Sequence, residues 1–507
     1  MARNKRAEGR ITGFEPIPEI AMRTIPNYIA GRHVEPAGGE YLEKVEPATG
    51  RVIAHVADSD GRDVDAAVDA AAKAFPAWSR TPAAERSRLL LAVADRIEAN
   101  LDRLAEAESA DTGKPLRLAK TVDIPRAAAN FRFFATAILH THTETYRTDG
   151  LALNYVLRQP RGVAGLISPW NLPLYLFTWK VAPALATGNT VVAKPSELTP
   201  TTAHLLTELY TQAGWPSGVF NVVHGSGAKA GAALVAHPKV PTISFTGGTK
   251  TGAEIARTAA PLFKKISLEL GGKNPTLIFA DTDLNEAMPT LVRSAFENQG
   301  QICLCGSRIF VEEKLYPAFV ERFVGAVRNL KVGDPLDPAT DQGAVISATH
   351  FQKVMSYIRL AREEGGKILC GGEPIPPPND RCKNGVFVQP TVITGLSPAC
   401  RVNQEEIFGP VATVWPFRTE AEAVENANCT PYGLSASLWT RDVSRAHRVA
   451  EQLQSGTVWI NSWLLRDLRV PFGGVKQSGV GREGGDEAIR FFTETKTVCL
   501  KYPADAG

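Results

Sequence analysis

The chain has 507 residues, of which 44% are hydrophobic and 21% charged, and its 56 basic against 53 acidic side chains leave a formal charge of only +3. That length predicts two or three domains with a sizeable core, and so balanced a charge excludes the electrostatic footprint of a nucleic-acid binder and gives no sign of a membrane-surface protein. The 7 cysteines have no regular spacing and suit a reducing cytoplasm better than a disulfide framework.

Residues 1–25 carry charges and prolines without periodicity and are expected to form an extended lead-in. Their basic start runs into Gly9-Arg10-Ile11-Thr12-Gly13 rather than an apolar core, so no secretory signal is read. Tyr28 to Arg32 and Val45 to Gly50 read as short strands and turns. Asp63 to Phe75 and Pro82 to Asn100 place Ala, Leu, Val and Ile at three- and four-residue spacing, which predicts amphipathic helices. Asp123-Ile124-Pro125-Arg126 is expected to open another helix, with Asp123 capping free N–H groups and Arg126 near the start. On composition alone Arg126 is a surface charge or one half of an ion pair.

Gly150 to Gln159 alternates weakly and reads as one arm of a protruding strand pair. Strands and helices then alternate: Gly162 to Ser168, a helix over Thr178 to Thr187, Thr190 to Lys194, a helix over Pro200 to Ala213, Val219 to Val223, a helix over Ala228 to Ala236, and Thr242 to Phe245. Such alternation implies a parallel sheet covered on both faces, with nucleotide sites at the carboxyl ends of its strands. The apolar region Val163 to Val192 contains Pro169, Asn171, Pro173, Lys180, Pro183 and Asn189, which excludes a bilayer span. A second α/β unit is expected from about Gly271 to Val470, with strands at Thr276 to Phe279, Ile309 to Val311, Ala412 to Phe417, Ala436 to Trp439 and Thr457 to Ile460.

Several stretches carry chemistry. Pro169-Trp170-Asn171-Leu172-Pro173 holds a side-chain amide between two prolines, a rigid setting for an oxyanion donor. Lys194-Pro195-Ser196-Glu197 falls at a strand end, where a carboxylate at Glu197 can accept both ribose hydroxyls and repel a 2′-phosphate; a solvated Lys-x-x-Glu pair is the plainer alternative. Phe245 to Gly252 closes a strand and opens a helix, and its Gly-x-x-x-x-Gly spacing from Gly247 lets backbone N–H groups approach a pyrophosphate. Cys303 is the candidate nucleophile, with Gly300 and Gly306 expected to keep its backbone flexible and the sulfur accessible. Cys305 makes a Cys-x-Cys pair, but no second Cys or His pair stands nearby, so no metal site is expected.

Phe296-Glu297-Asn298-Gln299-Gly300-Gln301-Ile302-Cys303 resembles the cysteine signature of the aldehyde dehydrogenase superfamily, and Leu268-Glu269-Leu270-Gly271-Gly272-Lys273 resembles its glutamate signature. The resemblance implies an α/β fold of two Rossmann-like parallel-sheet domains plus a small bridging β element. Residues 1–147 and 162–270 would form the NAD-binding domain, 271–470 the catalytic domain, and 148–161 with 485–507 the bridging element of a homodimer or homotetramer. It implies NAD as cofactor, surrounded by Ile167, Pro169, Lys194, Glu197, Phe245, Gly247, Gly252, Leu270, Glu406 and Phe408. It also implies Cys303 as nucleophile, Glu269 as the base that activates water against a thioester, and Asn171 as oxyanion donor. Asp123 to Arg126, Gly165 to Pro173 and Asn461 to Arg469 are similar to the 2-hydroxymuconic and 2-aminomuconic semialdehyde dehydrogenases, which implies an acidic semialdehyde held by Arg126 and Arg466. Oxidation of betaine aldehyde or an aliphatic aldehyde remains as an alternative. A coenzyme A-acylating or non-catalytic member would be expected to lack Glu269 or Cys303.

Overall fold

The computed structural model describes residues 23–503. Most of the expected lead-in therefore lies outside the described residues, and its last part, Arg23–Ile25, is a strand that pairs in parallel with Val52–Ala57. An eight-stranded sheet runs in the order Gly479–Val480, Lys265–Glu269, Thr242–Thr246, Val163–Ile167, Thr190–Lys194, Phe220–Val222, Asn27–Ile29, Arg32–Val34. Its five central strands are parallel and the outer ones antiparallel. Val163–Ile167 and Thr190–Lys194 are buried at every position, which is why they read as continuous apolar runs rather than as alternation. From Val163–Ile167 the chain adds two strands on one side and then returns to add two on the other, so the crevice at its carboxyl end is a topological switch point.

A second sheet of seven strands contains the five that periodicity predicted, plus Lys367–Cys370 and Thr391–Thr394, which it did not. A third sheet joins the hairpin Thr145–Thr148/Ala152–Pro160 to the C-terminal strand Thr493–Lys501 along nine register pairs.

Two expected elements differ. The helix expected over Thr178 to Thr187 begins at Pro173, and of its 14 residues only Leu176 is not buried. A helix apolar all round has no amphipathic period to mark its start, and Pro173 in its first turn needs no N–H partner. Asp123 does not cap. It has helical angles, φ −68° and ψ −52°, because a π-helical turn, Ala119–Asp123, runs without a break into the helix Ile124–Ala137. Its carboxylate instead forms a fully buried ion pair with Lys114.

Candidate active site

The helix Leu284–Phe296 ends in a sharp turn where Asn298, Gln299 and Gly300 all adopt left-handed angles, with φ of 54°, 57° and 68°. Two of those residues are not glycine, so the turn is strained, and buried amides hold it: Asn298 Nδ2 donates to Asn171 O at 3.1 Å and Gln299 Nε2 to Ala344 O at 2.9 Å. The flanking glycines serve close approach rather than flexibility. A Cβ on Gly300 would lie 2.1 Å from Gly409 O, and one on Gly306 would lie 2.3 Å from Thr276 Oγ1. Asn274 Nδ2 then ties down both cysteine carbonyls, Cys303 O at 2.7 Å and Cys305 O at 2.9 Å. Cys303 thus stands on a rigid backbone.

Cavities meet at its sulfur. One of about 250 Å³ is lined by Cys303 with Pro169, Trp170, Asn171, Leu270, His350, Glu406 and Phe408. It shares Pro169, Trp170, Thr246, Gly247 and Gly248 with a cavity of about 500 Å³ at the switch point, lined further by Ile167, Lys194, Glu197 and Phe245. A narrower cavity of about 40 Å³ joins Cys303 to Tyr175, Glu297, Leu464, Arg466 and Phe472. Cys305 is buried among Ile302, Trp459 and Trp463. Gly252 lines neither large cavity; a Cβ there would lie 2.5 Å from Leu270 Cδ2, so its role is to let the helix Thr249–Ala259 pack on Leu270.

The large cavities have the shape and donors a dinucleotide requires. Ile167, Lys194 and Phe245 end their strands in one register row, which sets them around the same mouth. Lys194 Nζ donates to Glu197 at 3.2 Å, Pro195 O at 2.9 Å and Gly225 O at 2.8 Å, so its three hydrogens are taken and the half-exposed Glu197 carboxylate is steadied with one oxygen unbonded. The N-terminus of the helix Thr249–Ala259 opens toward the cavity beside Gly248, at which an added Cβ would meet nothing within 4 Å.

Farther in, Glu406 accepts from the Gly272 N–H at 2.8 Å, and burial raises its carboxyl above the usual range. Phe408 has φ 62°, and the helix Ala348–Glu363 clamps this stretch: His350 Nε2 donates to Phe408 O at 2.7 Å, Lys353 Nζ to Glu406 O at 3.1 Å. The His350, Phe408 and Trp170 rings meet edge to face, with Trp170 5.3 Å from His350 and 5.2 Å from Phe408. Sequence reasoning missed His350 and Lys353, which are single polar residues on an amphipathic helix with no motif around them.

Asn171 is buried, its carbonyl held by Lys114 Nζ at 3.0 Å as well as by Asn298. Its side-chain amide donates one hydrogen to Gln301 O at 3.0 Å and keeps the other. Glu269 ends the strand Lys265–Glu269, is buried, and has one oxygen without a partner among the described residues. Burial and the neighbouring Glu483 push its carboxyl well above the usual range, against the pull of Lys180 and Arg466. Lys180 is already neutralised, donating to Glu483 at 2.6 Å and to Ser244 at 3.0 Å. Burial, then Glu406 and Glu269, push the Cys303 thiol up to about 12, opposed by Arg466.

On the narrow side, the Arg466 guanidinium lies 3.8 Å from the Phe472 ring centre and 5.5 Å from that of Trp179, and donates to the Tyr175 hydroxyl at 3.3 Å. Arg126 lies over the Tyr175 and Trp179 rings at 5.3 and 5.8 Å. Neither pairs with a carboxylate among the described residues, and both keep buried N–H groups without partners. Asp467, the neighbour that could have neutralised Arg466, pairs with Arg469 at 2.6 Å instead.

The sequence matches the aldehyde dehydrogenase family over residues 33–498. It is 53% identical to a 2-aminomuconic semialdehyde dehydrogenase of Danio rerio, over 96% of this chain and 99% of that protein. It is 50% identical to a 2-hydroxymuconic semialdehyde dehydrogenase of Pseudomonas sp. (strain CF600), over 95% of this chain and all of the relative. The fold superposes on an NAD+ complex of an aldehyde dehydrogenase from Bacillus cereus with a TM-score of 0.92, at 40% identity, covering 95% of this chain and 97% of that one.

Proposed function

The chain belongs to the aldehyde dehydrogenase family, and we propose that it oxidises an acidic semialdehyde, of the 2-hydroxymuconic or 2-aminomuconic kind, to the dicarboxylate in the breakdown of aromatic compounds. NAD supplies the hydride acceptor when bound; Glu197 would hold its adenosine ribose, the backbone at Gly247 its pyrophosphate, and Glu406 and Phe408 its nicotinamide half. Residues 1–147 with 162–270 form the cofactor domain in this reading and 271–470 the catalytic one. The three-stranded sheet formed by the hairpin and the C-terminal strand serves a homodimer or homotetramer. No helix of the described residues is long and apolar enough to cross a membrane, and we place the enzyme in the cytoplasm.

Cys303 loses its proton to water and adds its sulfur to the aldehyde carbon. The free Asn171 N–H and the Cys303 backbone N–H take the charge that develops on oxygen; one such donor is typically worth about 3–4 kcal/mol. Loss of hydride leaves a thioester on Cys303. Glu269 then takes a proton from water, which attacks the thioester carbon and releases the acid and the thiol. A carboxyl raised by burial is a stronger base than an exposed one, which suits this step.

The observation that carries the substrate assignment is the pair of guanidiniums, Arg126 and Arg466, set around Tyr175 and Trp179 without carboxylate partners. A guanidinium grips a carboxylate through two parallel hydrogen bonds, and an unpaired one that is partly buried gains most from an anionic ligand. Replacing Arg466 by Ala should cost roughly 1.5–3 kcal/mol of binding, about ten- to hundredfold in KM, on an acidic semialdehyde and almost nothing on an uncharged aldehyde. Steady-state kinetics on both substrates decides it, since equal losses would mean structural damage and no loss on the acid would take Arg466 out of the site.

A further inference from the structure

We propose that Glu297 is a specificity-determining residue, accepting a hydrogen bond from the amine or enol hydroxyl that the substrate carries beside its carboxylate. This rests on the acidic-semialdehyde reading and adds a residue to it. Glu297 is the residue at which the helix Leu284–Phe296 ends; at φ −53° and ψ 141° it leaves the helix path, and it lines the narrow cavity with Cys303, Tyr175 and Arg466. Its side chain is 18% exposed, and its carboxylate accepts no hydrogen bond among the described residues. Arg293 Nε lies 3.9 Å away, beyond hydrogen-bonding distance, and that guanidinium is engaged with Trp463, donating to its carbonyl at 3.3 Å and lying 5.5 Å from its ring centre. The other carboxylate on the cavity wall, Asp123, is fully buried and has its charge matched by Lys114 through one oxygen, the second oxygen having no partner among the described residues.

A largely buried carboxylate whose nearest cation stands 3.9 Å away is incompletely compensated, and burial raises its pKa, opposed by Arg293. In a cavity built for an anion it repels a ligand that offers only negative charge. A ligand that brings an N–H or O–H offsets that cost. A cavity with a guanidinium at Arg466 and an acceptor at Glu297 is complementary to a molecule with both an anionic end and a donor.

The test compares Glu297→Ala and Glu297→Gln with the parent enzyme on three aldehydes: 2-hydroxymuconic semialdehyde, with carboxylate and donor; adipic semialdehyde, with carboxylate alone; and hexanal, with neither. Glu297→Ala should lower kcat/KM on the first by about tenfold, the scale of one hydrogen bond to a charged group, and leave adipic semialdehyde unchanged or faster. Glu297→Gln, which keeps a carbonyl acceptor, should recover part of the loss. Equal losses on all three, or none on the first, overturn the proposal. Failure of the acidic-substrate reading shows separately, as a parent enzyme that treats adipic semialdehyde and hexanal alike.

Discussion

At the scale of single residues, the site without ligands disfavours both charged forms that its chemistry needs, the Cys303 thiolate and the Glu269 carboxylate. With the thiol pushed up to about 12, the sulfur is held protonated near pH 7. Alkylation of Cys303 by iodoacetamide in the ligand-free enzyme should therefore be slow and climb about tenfold per pH unit between about 7 and 10; a plateau near pH 8 would mean that the thiol is activated before anything binds. Glu269 gives a second pH signature. A carboxyl whose pKa is raised is protonated below that pKa and becomes a base only as pH rises through it, so thioester hydrolysis should rise with pH over a limb displaced upward from an ordinary carboxylate. Glu269→Gln should abolish that limb and leave a burst of one NADH per site followed by slow turnover. A missing burst, with a slow first turnover, would assign Glu269 an earlier step.

At the scale of elements, regular period was legible and exceptions were not. The amphipathic helices and the buried strands of the parallel core followed from spacing and apolar runs, because each has a face or a pair of faces that burial must satisfy. Strands as short as Lys367–Cys370 are too brief to show such a pattern and exist because a neighbouring strand pairs with them. Motifs pointed to Cys303, Glu269 and Asn171, yet gave no hint of His350, Lys353 or Glu297, whose significance lies only in what folds against them.

Asp123 is the clearest case. Its position before Ile124-Pro125 read as a cap, while its partner Lys114 lies nine residues away across a π-helical turn and also holds the carbonyl of Asn171. Breaking a buried pair by removing one charge typically costs about 3–5 kcal/mol, so Asp123→Asn should lower the thermal midpoint and also kcat. The double change Lys114→Met, Asp123→Leu should restore the midpoint without restoring kcat, because the Asn171 carbonyl then loses one of its two donors and keeps only Asn298. Recovery of both would show that the ion pair serves packing alone.

For the molecule as a whole, the candidate active site is a seam: strand ends of the eight-stranded sheet supply Glu269, Lys194 and Phe245, and the connection from the helix Leu284–Phe296 to the strand Arg308–Glu312 of the seven-stranded sheet supplies Cys303. The third sheet contributes nothing to that seam. Its register puts Leu153, Tyr155 and Leu157 on the same face as Val498 and Leu500, since Leu153 stands opposite Leu500 and Tyr155 opposite Val498, with Arg147, Thr145 and Lys496 beside them. Leu500 is 58% exposed in the single chain, and a three-stranded antiparallel sheet with an apolar patch open to water is marginal by itself. A second copy of the chain covers that face in the oligomer proposed above. Leu500→Glu puts a charge on that patch, in a sheet that shares no strand with the sheet carrying the turn of Cys303. Light scattering behind size exclusion should give a multiple of 54.6 kDa for the parent protein and a lower mass for the variant, with the helical circular dichroism of the two alike. A parent protein that runs as a single 54.6 kDa chain, or a variant of unchanged mass, would remove this sheet as the assembly surface.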